Sequence, residues 1–301
     1  MPTRWLNLDP SRTYSLRMRY VRDIRRRLRW LDKELWNLIV TLDAFGLEET
    51  QPFQLVSYHN AIRHQYKFLT NPQKVKQFRA WLDQQVNAGV LGVDVPSSKN
   101  AWTSTYVDSA YRKGMMRSYT DVHKADLAVS PAWYGGSKEQ FLKSAFLQPE
   151  MLSKIEMLYE RAFENMKGLT DTMKGQLGRI LADGVAHGQG ARKVAREMRK
   201  SIKTLSRGRA STIARTEMIY AHAEGQLDSF ELLGVEEVSA KVEWSTAGDD
   251  RVCPECASYE GVVYKVKDAR GLIPLHPNCR CAWMPAEDTS KTKSKRSKRK
   301  R

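Results

Sequence analysis

Cysteine is scarce in this chain of 301 residues: there are four, and all of them lie between Cys253 and Cys281. Side chains used nowhere else serve one local purpose. Long apolar runs are missing too, since no stretch reaches the roughly eighteen residues of a membrane-crossing helix. The opening MPTRWLNLDPSRTYSLRMRY lacks the apolar core of a signal peptide. Synthesis in the cytoplasm follows, where thiols stay reduced and a metal is favoured over disulfides. Acid is in short supply, with 34 Asp and Glu against 50 Lys and Arg, giving a formal net charge of +16. Such an excess calls for an acidic partner, nucleic acid first and an anionic membrane surface second. The length allows a sizeable core and two domains.

What is present begins with a helical pattern. From Pro10 to Gly46 there is no glycine or proline, and Val21, Ile24, Leu28, Leu31, Leu35, Leu38, Leu42 and Phe45 recur at steps of three and four. That spacing predicts a long helix with a heptad seam. Arg17 and Arg19 lie just ahead of the seam, and Arg22, Arg25, Arg26, Arg27 and Arg29 lie between its residues. The seam packs within its own domain beneath a solvated basic face, or the helix docks on a partner subunit or a phosphate backbone. Further helices are predicted over 53–69, 73–89 and 100–120, with a loop over 91–98 and a linker around Ser130-Pro131 and Gly135-Gly136. Trp102, Tyr106, Tyr111 and Tyr119 read as helix-packing aromatics. From Lys138 onward, glycines punctuate helices predicted over 149–166, 169–187, 191–203 and 208–233. Alternation typical of strands then enters over 238–244 and 262–266, with no helix-sized crossover between, so the sheet is antiparallel.

The cysteine window reads D-D-R-V-C-P-E-C and, after about twenty residues, P-L-H-P-N-C-R-C. Two knuckles separated by a hairpin-length spacer suit tetrahedral zinc, which needs four converging soft or borderline donors. Five candidates compete for four places: Cys253, Cys256, His276, Cys279 and Cys281. The favoured set is Cys253, Cys256, His276 and Cys281, with Cys279 exchangeable for either of the last two. A closed set of this kind is structural, fixing a module too small to stand on its own core. Asp249, Asp250 and Arg251 precede the first knuckle and are placed to cap its turn. Gly261 is expected to supply a positive φ between the knuckles. The last eleven residues, KTKSKRSKRKR, carry Lys291, Lys293, Lys295, Arg296, Lys298, Arg299, Lys300 and Arg301, half of the net charge. Without an apolar residue this tail is expected to be disordered and to meet nucleic acid without reading its sequence.

Three motifs carry a family resemblance: R-A-S-T-I-A-R-T-E (Arg209 to Glu217), W-S-T-A-G-D-D-R-V-C-P-E-C-A-S-Y-E-G-V-V-Y (Trp244 to Tyr264) and P-L-H-P-N-C-R-C, followed by Pro285. In this order the stretch from about Leu169 to Pro285 resembles the Mu F-like phage head-morphogenesis family, also called minor head or minor capsid proteins. The resemblance implies a virion component of the phage head, placed near the portal during procapsid assembly and in contact with other head proteins and with packaged DNA. It implies a structural protein with neither membrane nor small-molecule partner. The fold class expected is α+β, mainly α, with a helical region over 1–137, a Mu F-like module over 138–287 ending in a small antiparallel element with a Cys/His knuckle, and a basic tail over 288–301.

Within the first motif, Arg215 and Glu217 are two apart and do not share a helix face, so each is expected to reach toward the β element. Arg280 is expected to pair with Glu217 or Asp250. Two other functions compete. A metal-dependent nuclease or other hydrolase would use His276 as a base, but it would want carboxylate ligands and a second histidine. A zinc-knuckle nucleic-acid binder outside any phage would leave the heptad helix unexplained.

Overall fold

The computed structural model describes residues 10–47, 71–92, 101–125, 137–234 and 241–286. The helix expected over 53–69, the linker around Ser130 to Gly136 and the basic tail lie outside these residues. The helices are α1 (Tyr14–Trp36), α2 (Asn71–Gln85), α3 (Ser104–Lys124), α4 (Lys138–Phe146), α5 (Pro149–Ala186) and α6 (Ala191–Leu232). A small β element follows, with strands β1 (Lys241–Ser245), β2 (Val263–Tyr264) and β3 (Ala282–Ala286) and two one-turn helices, α7 (Pro254–Ala257) and α8 (Val266–Ala269). The fold is thus mainly α with a small antiparallel sheet and a Cys/His cluster.

Two compact units share the chain. One comprises residues 21–102 and 163–211. Its core is built on the α1 seam, of which Val21, Ile24, Leu28, Leu31, Leu35 and Leu38 are buried, together with Phe45, Phe78 and Leu82. Burying each such side chain contributes about 1.5–3 kcal/mol. The seam is therefore consumed inside the fold, with Arg22, Arg26 and Arg29 exposed and Arg25 and Arg27 half-buried, whereas Arg17, ahead of the seam, is buried. The helix does not run to Gly46: α1 ends at Trp36 and widens into a π turn over Asn37–Thr41. A second π turn, Val86–Leu91, closes α2 and stops at Gly92 in the left-handed region.

The second unit comprises residues 1–20, 103–162 and 212–301, of which the described parts hold α3, α4, the sheet, the start of α5 and the end of α6. Ser137 opens α4 with a capping box, exchanging side-chain and backbone bonds with Gln140. Helices α3 and α6 approach through glycine. A Cβ at Gly225 would stand 2.3 Å from the Tyr111 carbonyl oxygen, and one at Gly114 would stand 2.1 Å from that of His222. The backbones therefore meet where no side chain fits. Across the same contact the Ser229 hydroxyl donates to the Met115 carbonyl at 3.1 Å. Tyr111 donates to Asp228 at 2.6 Å.

Two predicted helix breaks are absent. Gly168 sits inside α5 and Gly208 inside α6, each without a neighbouring atom that a Cβ would meet. A mid-helix glycine costs only about 1 kcal/mol against alanine. The buried row Phe163, Met166, Leu169, Met173, Leu177 and Leu181 outweighs that cost by running straight past Gly168. Glycine does stop helices where φ turns positive, at Gly188 (63°) and Gly234 (67°).

The sheet order is β2-β1-β3, both pairs antiparallel, and the pairing of β1 with β2 is as predicted. Trp244 on β1 faces Trp283 on β3, with rings edge to face at 5.4 Å and both side chains fully buried. Strand β3 was not legible in the sequence. It carries Pro285, which an edge strand tolerates. Beyond that edge the buried Gln226 of α6 stands in for another strand: its amide donates to the Trp283 carbonyl at 2.7 Å, and its oxygen accepts from the Trp283 N–H at 3.0 Å.

Candidate metal centre

The first knuckle is built by a short chain of local bonds. Asp249 accepts from the Arg251 N–H at 3.2 Å, closing an Asx-type turn just before Cys253. Cys253 then caps α7, its sulfur accepting from the Cys256 N–H at 3.3 Å, with Pro254 at the first helical position. Both thiols therefore come off one tight bend. Gly261 turns the chain with φ 77°, as expected, and Thr246 is tied to Glu260 at 2.7 Å. The exit toward the second knuckle is thereby fixed.

The second knuckle closes on itself through the Cys279 N–H, which donates to the His276 carbonyl at 3.1 Å. Asn278 between them takes φ 68°, a left-handed conformation that asparagine tolerates better than most residues. It also anchors the knuckle to α6. Its N–H meets the Thr216 hydroxyl at 3.3 Å and its side chain meets that of Thr212 at 3.2 Å. Thr212 and Thr216 are one turn apart on α6, so the threonines of the R-A-S-T-I-A-R-T-E motif serve as the seat for the knuckle. The spacing of the motif alone does not identify that role.

These elements bring all five candidate donors together. Cys253, Cys256 and His276 form one group and Cys256, Cys279 and Cys281 another, donor atoms within 4.8 Å of one another in each. Cys256 belongs to both. The His276 Nε2 lies 3.1 Å from each of the Cys253 and Cys256 sulfurs, and the Cys256 and Cys279 sulfurs are 3.9 Å apart. Zinc–sulfur bonds of about 2.3 Å in a tetrahedron put neighbouring sulfurs about 3.8 Å apart, so this last spacing fits. The His276 Nδ1 sits 2.8 Å from the Pro277 carbonyl. A carbonyl only accepts, so Nδ1 carries the proton and Nε2 presents its lone pair to the cysteines, the arrangement metal-binding histidines favour.

Charge within the cluster argues the same way. Burial, and then the nearness of Cys279, push the Cys256 thiol up to about 12. A hydrogen bond from Cys281 pulls Cys279 down to about 5. Buried thiols this close cannot all ionise by themselves, and a bound dication is what would allow several to do so. The donors are sulfur and imidazole nitrogen, with no carboxylate in either group among the described residues. That set suits zinc and leaves little reason for calcium or magnesium.

The remaining motif residues are distributed around this centre. Arg280 grips Asp249 with both terminal nitrogens, Nη1 at 2.7 Å, and holds that carboxyl well below the usual carboxylate range. The bond links the two knuckles. The partner is thus Asp249 and not its exposed neighbour Asp250, because Asp249 is the residue turned inward by the Asx turn. Arg251 shares the same carboxylate at 2.7 Å. Glu217 is buried and receives Arg161 of α5 at 3.2 Å, while Arg215 has a buried Nε on the same helix.

Residues 176–284 match the family model described as Phage Mu protein F like protein, so this stretch of the chain is Mu F-like. The matched segment includes the end of α5, all of α6 and every candidate metal donor. No curated protein and no solved structure matches the chain.

Proposed function

We propose that this protein is a minor head protein of a tailed phage, acting in procapsid assembly beside the portal and other head proteins. Its role is structural, and its Mu F-like segment is held together by zinc. The observation that carries this reading is the coincidence of the family match with the Cys/His centre: the matched segment contains both knuckles and the helix that seats them. A thiol and imidazole cluster, three of whose five donors are buried cysteines, is built to fix chain geometry, whereas hydrolysis would need an open ligand position for water.

The fourth donor is Cys279. Its sulfur is 3.9 Å from that of Cys256, and its N–H closes the turn that carries His276. Cys253, Cys256, His276 and Cys279 then make a C-x2-C and H-x2-C pair, and Cys281 supports Cys279 as a thiol hydrogen-bond donor. This departs from the set with Cys281 that spacing alone favours. Zinc, when bound, supplies cross-linking energy; the protein residues supply orientation, through the Pro277 carbonyl on His276 and the Cys256 N–H on Cys253.

The formal charge of +16 supports contact with packaged DNA, and the basic tail from Lys291 to Arg301 adds a sequence-independent arm. The reading is tested in an infected-cell complementation assay with His276→Ala, together with a DNA-cleavage assay on the purified wild-type protein. Aberrant or non-infectious particles and no cleavage are expected. Metal-dependent cleavage of DNA would transfer the role to a nuclease and overturn the structural reading.

A further inference from the structure

The unit formed by residues 21–102 and 163–211 has an open groove of about 410 Å³ between α1 and α6. Its floor is apolar, from the buried Leu28 and Ile202. Its walls are basic: Arg25 and Arg29 from α1 face Arg199, Lys203 and Arg207 from α6, with Asp32 the single acid in the lining. Asp32 is already committed, receiving the Arg199 Nε at 3.0 Å, and the Arg199 guanidinium lies 4.3 Å over the Trp36 ring. Arg25 is held in place by the Ser206 and Arg207 carbonyls, each at 3.3 Å, contacts that fix its position and leave its charge unneutralised. Arg29, Lys203 and Arg207 are exposed and make no ion pair among the described residues. Four cations thus remain uncompensated around one concavity.

We infer that this groove is an ordered seat for the phosphodiester backbone of duplex DNA. The inference rests on the DNA-contact reading above and gives it a place in the folded chain. Arg25 and Arg29 are one helical turn apart, as are Lys203 and Arg207, so each wall offers two cations spaced by about 6 Å along its helix. Duplex DNA carries one negative charge per roughly 1.7 Å of axis, or three to four over that length. With both strands counted, the four free cations face a comparable number of charges. A flat membrane surface would not enter a concavity floored by Leu28 and Ile202. Such binding positions the duplex and reads no bases, because nothing in the lining is arranged to meet base edges.

The test is fluorescence anisotropy of the full chain with a labelled mixed-sequence duplex, from roughly 50 to 200 mM salt, the range over which phosphate contacts are lost. The triple variant Arg29→Ala, Lys203→Ala, Arg207→Ala should flatten the plot of log affinity against log salt by about 2.7, at 0.9 per contact. Wild type then loses about 40-fold more affinity than the variant across that fourfold rise in salt. A second variant, Arg29→Lys with Arg207→Lys, keeps the charges and should keep the wild-type slope. It also shows whether a flattened slope reflects lost charge or lost folding. A wild-type protein that binds duplex with a slope unchanged in the triple variant overturns the groove and leaves the DNA reading to other segments. A wild-type protein that does not bind duplex overturns both. Groove-dependent binding to phosphatidylserine vesicles without binding to duplex also overturns the inference.

Discussion

Replacing Gly225 by alanine should destabilise the protein although alanine is the better helix former. The added methyl would gain about 1 kcal/mol of helix propensity. It would also stand 2.3 Å from the Tyr111 oxygen and 3.0 Å from the Tyr111 carbonyl carbon, both atoms of backbone. An ordinary carbon–oxygen contact is about 3.3 Å or more, so α3 and α6 must part by about 1 Å. A backbone carbonyl cannot swing aside as a side chain can, which places the penalty at the upper end of the 1–3 kcal/mol typical of overpacking. Parting also stretches the Ser229 bond to Met115 and the Tyr111 bond to Asp228. The net expectation is a loss of about 2 kcal/mol. Gly168→Ala is the matched control, because a Cβ there meets nothing within 4 Å, and it should gain up to about 1 kcal/mol. Urea unfolding followed by circular dichroism reads both as shifts of the midpoint in opposite directions. If Gly225→Ala stabilises as Gly168→Ala does, the close approach of the two backbones is refuted.

His222 and Asp228, on the same helix, give two further predictions. Burial, reinforced by Arg117 and Lys113, lowers the His222 imidazole to about 3, so the folded state holds it neutral while the unfolded state protonates near 6.5. Its contribution is therefore complete above pH 6.5 and is lost progressively as pH falls toward 3. Between pH 7 and 5 the loss should be about 2 kcal/mol, and His222→Gln should remove that part of the slope in unfolding experiments; an unchanged slope would show that the ring is protonated in the fold. Asp228 is buried and receives Tyr111 at 2.6 Å and Lys154 and Arg270 at 2.7 Å each. Asp228→Ala leaves those donors without their shared acceptor and should cost about 3 kcal/mol in the same assay, with a cost below 1 counting against a working node.

The parts of the structure that the sequence disclosed were those with local signatures. The α1 seam, the antiparallel pairing of β1 with β2, the positive φ at Gly261 and the gathering of five donors all follow from spacing or from one residue type. What stayed hidden depended on tertiary context. Gly168 and Gly208 read as stops because isolated glycine is a local signal, while the apolar rows that carry the helices past them extend beyond any single turn. Strand β3 is short, holds Pro285 and owes its outer edge to Gln226, a residue more than fifty positions away. The choice of Asp249 over Asp250 as the partner of Arg280 turned on an Asx turn that spacing does not reveal. Thr212 and Thr216 carried a clue in their one-turn spacing on a motif helix, but only Asn278 shows what they hold.

Metal content by elemental analysis, on protein purified without chelator, bears most directly on the account. Wild type and Cys281→Ser should each carry about one zinc per chain, whereas Cys256→Ser and Cys279→Ser should lose it and unfold at lower temperature. Wild-type protein that is folded, free of zinc and unchanged in melting temperature on zinc addition would contradict the claim that these side chains clamp the module through a metal.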